Sequence, residues 1–143
     1  DQAASGSTLV ETSGTVVASG SSLTGWYTYY CEKFTATGND DGTTNVQNGT
    51  TTFKPMVTFI FNKLQASFRN ELKNLHQNRM HIAVKDNNGT AWLFGLTRGM
   101  DLPSSKNTMG TVDTDRSGYT LSFEGTEPNP IYVISNYASL ITA

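Results

Sequence analysis

Asp113-Thr114-Asp115-Arg116-Ser117-Gly118, followed by Glu124, comes closest to a ligand-binding pattern in this 143-residue chain. Its oxygen donors fall at the offsets D-x-D-x-S-G-x5-E, those of a Ca²⁺-binding loop. The flanking sequence points elsewhere. An EF-hand needs a helix on each side, yet Gly110 precedes this loop and the alternating Tyr119, Leu121 and Phe123 follow it. Extended at ~3.3 Å per residue, Glu124 would lie about 20 Å from Gly118. A Ca²⁺ ligand must approach to ~2.4 Å. The expected structure is a turn, with Asp and Ser bonding local backbone and Gly118 at positive φ. The alternative is a reduced calcium loop using Asp113, Asp115 and Ser117 without Glu124.

The other reactive side chains are scattered. His76 falls at the end of a predicted helix, where an imidazolium suits the negative end of the macrodipole. His81 is expected to point off the apolar face of a strand. Metal centres take three or four ligands, and nothing beside either histidine supplies them. A Ser-His-Asp arrangement is open from sequence order alone, but there is no G-x-S-x-G elbow, Cys/His signature or phosphate-binding glycine loop. No enzyme, cofactor or metal centre is expected. Cys31 stands alone and reads as a small buried hydrophobe. Asn48-Gly49-Thr50 and Asn88-Gly89-Thr90 match the N-glycosylation pattern, though Asn-Gly turns explain both.

Composition narrows the classes further. Charged residues make up 15% of the chain, net charge is −2, and Thr alone supplies 21 positions. The surface is therefore built from neutral polar groups, which suits packing of subunits side by side. There is no basic surplus for sequence-independent binding to phosphates. No apolar run approaches the ~20 residues of a membrane-spanning helix.

Hydrophobic periodicity sets the elements. Phe53, Val57, Phe59 and Phe61 alternate with Thr52, Lys54, Met56, Thr58 and Ile60, a half-buried strand; Pro55 favours an edge or a bulge near its start. From Lys63 the period changes. Leu64, Phe68, Leu72 and Leu75 form one stripe of an amphipathic helix over about 63–77. Its start falls at Asn62 with Gln65 as a capping pair, or at Gln65 or Ser67, and Asn78 is the expected stop. Asp86-Asn87-Asn88-Gly89 then joins two strands in a hairpin. Tyr119 to Glu124 and Ile131 to Ile134 are further strands. Residues 38–50 and 97–115 read as long polar loops.

The fold class expected is mainly β, either a β-sandwich or a partly closed antiparallel β-barrel, with one helix. Residues 1–25 read as an N-terminal arm or a strand that pairs with something else, such as a neighbouring subunit. Residues 26–143 read as a single β-rich domain. Candidate contact residues are Leu9, Val10, Val16 and Val17 in the arm, and Trp26, Tyr27 and Tyr29 in an aromatic strand. Asp40 and Asp41 in the first long loop and Pro103 in the second complete the set. A strand covered on both faces explains the aromatics equally well; subunit contacts are enriched in Tyr and Trp.

Phe59 to Glu127 carries a family resemblance. The carriers are Asn62-Lys-Leu, Arg69-Asn-Glu-Leu72, Asn78-Arg79, the Ile82-Ala-Val-Lys-Asp-Asn-Asn-Gly89 hairpin, Trp92-Leu-Phe-Gly95 and Ser117-Gly-Tyr-Thr-Leu-Ser-Phe-Glu-Gly125. Together they resemble small virion proteins of tailed phages that infect Bacteroidetes-type hosts. The resemblance covers about half the chain and includes no catalytic signature. It implies a structural subunit of the virion, made in many copies and assembled in the host cytoplasm. Size and outline are similar to tail tube proteins, whose barrels stack as rings around a DNA channel. The partners implied are copies of the chain, other virion proteins and DNA passing without specific binding. A capsid decoration or cement protein is the alternative within the virion. A secreted carbohydrate- or calcium-binding β-module is the alternative outside it.

Overall fold

The computed structural model describes residues 7–20, 29, 35–62 and 66–135, with the main chain alone for 7–12 and 16–20. Among them are nine strands and one helix: β1 (Ser7–Thr12), β2 (Thr15–Gly20), β3 (Ala36–Asn45), β4 (Thr50–Asn62), α1 (Phe68–Gln77), β5 (Ile82–Lys85), β6 (Ala91–Phe94), β7 (Asp101–Thr108), β8 (Gly118–Glu124) and β9 (Tyr132–Ile134). They form a five-stranded sheet, ordered β1-β2-β9-β6-β5, and a four-stranded sheet, ordered β3-β4-β8-β7. Every pairing is antiparallel except β2 with β9.

The two sheets do not close into a barrel; the architecture is sandwich-like. Val57, Tyr119, Leu121 and Phe123 from the second sheet share a core with Phe94 from the first, and Leu72 of α1, Met100 and Leu102 complete it. The alternation read from β4 sets this geometry. Phe53, Val57, Phe59 and Phe61 lie on the face that pairs with Phe123, Leu121 and Tyr119, while Thr52 and Lys54 on the other face are exposed. Phe59 and Phe123 meet edge to face at 6.0 Å, a favoured aromatic geometry.

Several expectations are corrected. Of the expected starts the helix takes Ser67: it begins at Phe68, with Ser67 as N-cap and no side-chain cap bond; residues 63–65 lie outside the described set. The β4–β8 ladder runs on to the Asn62–Gly118 pair, so Asn62 ends a strand instead of capping the helix. Asn78 does end the helix, in extended conformation, its Nδ2 donating to the Asn74 carbonyl at 3.0 Å.

The loop expected at 38–50 is mostly strand. β3 pairs with β4 through ten residues, from Ala36–Phe59 to Asn45–Thr50. Its own Gly, Asn and Asp disfavour strand; the ladder offered by Thr-rich β4 overrides that preference. The loop expected at 97–115 contains β7, an edge strand. Edge strands carry Lys, Pro and bulges that guard against stray pairing; here Pro103 sits in a bulge between Asp101 and Ser104. Pro55 lies in an interior strand, not at an edge. It falls just past the last β4–β8 pair, Met56–Glu124, where its carbonyl still accepts from the Gly125 N–H at 3.1 Å. The missing N–H thus removes one bond where the ladder is already ending.

Gly118 does not adopt positive φ. Its need for glycine is steric: a Cβ there would collide with the carbonyl oxygen of Phe61 on the paired strand. Leu121, 1% exposed, fills the centre of the sandwich. Leu121→Ala should therefore lower unfolding free energy by about 2–5 kcal/mol, read from urea denaturation. Thr44→Ala on exposed β3 should stay within ~0.5 kcal/mol.

Candidate functional site

The calcium-like motif folds as a turn. Asp115 Oδ2 accepts the N–H of Thr111 at 2.8 Å and of Val112 at 3.1 Å, and the Asp115 N–H donates to the Val112 carbonyl at 2.9 Å. Those bonds from Thr111 and Val112 hold its carboxyl below the usual range against a smaller desolvation effect. The donor that would face a cation is thus turned onto the main chain. Asp113 is exposed. Glu124 lies at the far end of β8, 3.4 Å from Lys54 Nζ. Among the described residues, no three His, Cys, Asp or Glu side chains gather.

His76 and Ser105 do come together. Nε2 lies 2.9 Å from Ser105 Oγ, and Nδ1 lies 2.9 Å from the Leu102 carbonyl oxygen. A carbonyl only accepts, so Nδ1 carries hydrogen, and in the neutral ring Nε2 accepts from the Ser105 hydroxyl. This is nucleophile-to-base spacing, with a main-chain carbonyl where a carboxylate would orient a catalytic triad. Ser105 stands inside the β7–β8 ladder, opposite Leu121. The pair fastens the last turn of α1 to the bulged edge strand. Arg79 and Asp101 at 3.3 Å and the Met80–Met100 bridge reinforce the same seam. His81 Nδ1 donates to the Gly95 carbonyl at 2.7 Å.

A buried acid organises the passage between sheets. Glu127, 3% exposed, accepts the N–H of Thr97 at 3.1 Å and of Arg98 at 2.8 Å. Successive N–H groups of this kind form an anion-binding concavity, and here the chain fills it with its own carboxylate. Gly95 and Gly99 bracket the loop at φ 78° and 81°; a Cβ on Gly95 would lie 2.7 Å from Met100 Cγ. The main chain of Glu127 also exchanges two hydrogen bonds with Phe53, at 2.8 and 2.9 Å.

Phe53 is the last supported residue of the β3–β4 hairpin. Beyond it, Thr43–Thr52, Thr44–Thr51 and Asn45–Thr50 pair only with each other, and every residue from Asp41 to Thr52 is exposed. The strands run roughly 10 Å past Phe53 at ~3.3 Å per residue, then turn through 46–49. Gly42 to Phe53 contains no charged side chain, and Val46 at the tip is 86% exposed. β4 runs from this tip to Asn62, opposite Gly118. The loop before Gly118, with Met109 84% and Val112 62% exposed, therefore lies at the opposite end of the same sheet.

The sequence-selected contact residues scatter. Leu9, Val10, Val16 and Val17 belong to the β1–β2 hairpin, which joins the chain's own β9 through Thr15–Val133 and Val16–Ile134. Trp26 and Tyr27 lie outside the described residues. Tyr29 packs at 5.9 Å from Phe61 and 6.4 Å from Phe68, and its hydroxyl donates to Glu71 at 3.3 Å. Asp40 accepts the Ile131 N–H at 3.0 Å. Asp41 and Pro103 are exposed. The Asn48-Gly49 turn is present as expected, with Gly49 at φ 63°; Val46 beside it is not among the contact residues selected from sequence.

Glu127→Ala leaves the Thr97 and Arg98 N–H groups without their acceptor and should cost about 1–3 kcal/mol. Hydrogen exchange of both amides should quicken more than that of the β8 ladder. In the other hairpin, Asp86 receives the Trp92 indole N–H at 3.2 Å and the N–H of Asn88 and Thr90 at 2.8 and 3.0 Å. The Trp92 bond, ahead of the main-chain bonds and against desolvation, holds its carboxyl below the ordinary range. A depressed folded value stabilises above the unfolded carboxylate range and ceases to as pH falls through that range to the folded value. Asp86→Asn should therefore lower the urea midpoint at neutral pH and flatten its decline in acid.

No protein-family model matches the chain, and no curated protein or solved structure matches it significantly.

Proposed function

We propose that this protein is a non-enzymatic structural subunit of a tailed-phage virion, most specifically a tail tube protein, working by contact with copies of itself. The β3–β4 hairpin carries the reading. A two-stranded ribbon without a core is marginal in water, and this one ends in neutral polar residues and an exposed Val46. Burying such a tip desolvates no charge. Met109 and Val112 are exposed at the other end of the sheet, so tip-to-loop contact is head-to-tail, and contacts of that kind build rings or stacks. The part of the expected arm that is described, residues 7–20, is engaged with the chain's own β9. The hairpin takes over the role of reaching the next copy. A net charge of −2 suits a channel that lets DNA pass without holding it. The resemblance over Phe59 to Glu127 supplies the virion setting.

Concentrated wild-type protein should form rings or tubes in negative-stain images. Val46→Asp should abolish them while leaving stability within ~0.5 kcal/mol, as expected of an exposed position. Monomers alone across several buffers would overturn the reading. Virion copy number close to that of the major capsid protein would reassign it to capsid decoration.

A further inference from the structure

Asn-Gly-Thr occurs twice in the chain, at 48–50 and 88–90, and both glycines hold positive φ, 63° and 88°. Local sequence is thus matched, and any difference in reactivity between the sites comes from their turns. In an Asn-Gly pair the glycine main-chain nitrogen, having given its proton to solvent base, attacks the Asn side-chain carbonyl carbon. A C–N bond forms, the side-chain nitrogen leaves as ammonia, and a five-membered succinimide remains. Water opens that ring at either carbonyl, giving Asp or isoaspartate. The balance is one amide plus water to one carboxylate plus ammonium, with no other reactant.

The two turns treat this step differently. At Asn88 the Gly89 N–H donates to the Asp86 carbonyl at 3.2 Å. The Asp86 carboxylate also holds the N–H of Asn88 at 2.8 Å and of Thr90 at 3.0 Å. The attacking nitrogen is engaged, and its deprotonation would place an anion beside a carboxylate. At Asn48, residues 46–49 are all exposed. The side-chain bond there runs from the Asn48 N–H to Asn45 Oδ1 at 3.2 Å, and the Gly49 N–H has no acceptor among the described residues.

We infer that Asn48 is a deamidation site built into the hairpin tip, and that the same tripeptide at Asn88 is protected by its turn. Conversion places a negative charge in the middle of the uncharged stretch from Gly42 to Phe53. The inference does not depend on assembly and is tested on dispersed full-length chain.

Incubation in mildly alkaline buffer, followed by peptide mapping with mass spectrometry and isoaspartate detection, should show Asn48 converting several-fold faster than Asn88. In denaturant the two rates should converge. Asp86→Ala should raise the Asn88 rate toward that of Asn48 and leave Asn48 unchanged; Asp86→Asn, which keeps the side-chain size, is the second variant should the first unfold. Equal rates in the folded chain, or faster loss at Asn88, would overturn the inference.

Discussion

A buried carboxyl group ties together two of the passages between the sheets, beside the core that the sheets share. The chain passes between sheets at residues 95–100 and again at 125–131, and Glu127, in the second passage, bonds the main chain of the first. Its backbone meanwhile pairs with Phe53 at the foot of the β3–β4 hairpin. A buried polar group has to be hydrogen-bonded, and through its side chain and main chain this residue ties three segments together. The crossing is also tight. A Cβ on Gly125 would come within 2.9 Å of the Gly99 carbonyl oxygen, so both passages are glycine-lined where they touch. Beyond Phe53 the hairpin continues the same β3–β4 register to the Asn45–Thr50 pair.

Much of this fold is legible in the residues, and the failures share a cause. β4, β8 and the β5–β6 hairpin were readable because alternation and turn chemistry agree there. The helix stripe through Phe68, Leu72 and Leu75 was equally plain. β3 and β7 are hard to read because Gly, Asn and Asp in one, and Asp, Pro and Asn in the other, outweigh their threonines; each is made a strand by the one beside it, β4 for one and β8 for the other. Glu127 was invisible for a related reason. Its partners are main-chain N–H groups about thirty positions away, and a backbone donor has no sequence signature. His76 was placed correctly at the helix end, but its meeting with Ser105 depends on how α1 lies against β7.

The contact residues chosen from sequence lie in several parts of the fold, and some have partners within the chain. Asp40, a candidate contact residue in the first expected loop, accepts the Ile131 N–H within the chain. Tyr29 lies against Phe61 and Phe68 of its own chain. The surface that reaches outward is made of the least remarkable residues, Thr, Asn, Gln and Gly, and its reach comes from register and length.

One pairing bears on how the molecule is made. β2 lies parallel to β9, placing Thr15 opposite Val133, so nearly the whole chain intervenes between them. Closing so long a segment must precede any reward from the contact. On the ribosome, the β1–β2 hairpin therefore waits for β9 to be translated before it can join its sheet. Until then the edge of that sheet is open, and the five-stranded layer is completed only after β9 has emerged.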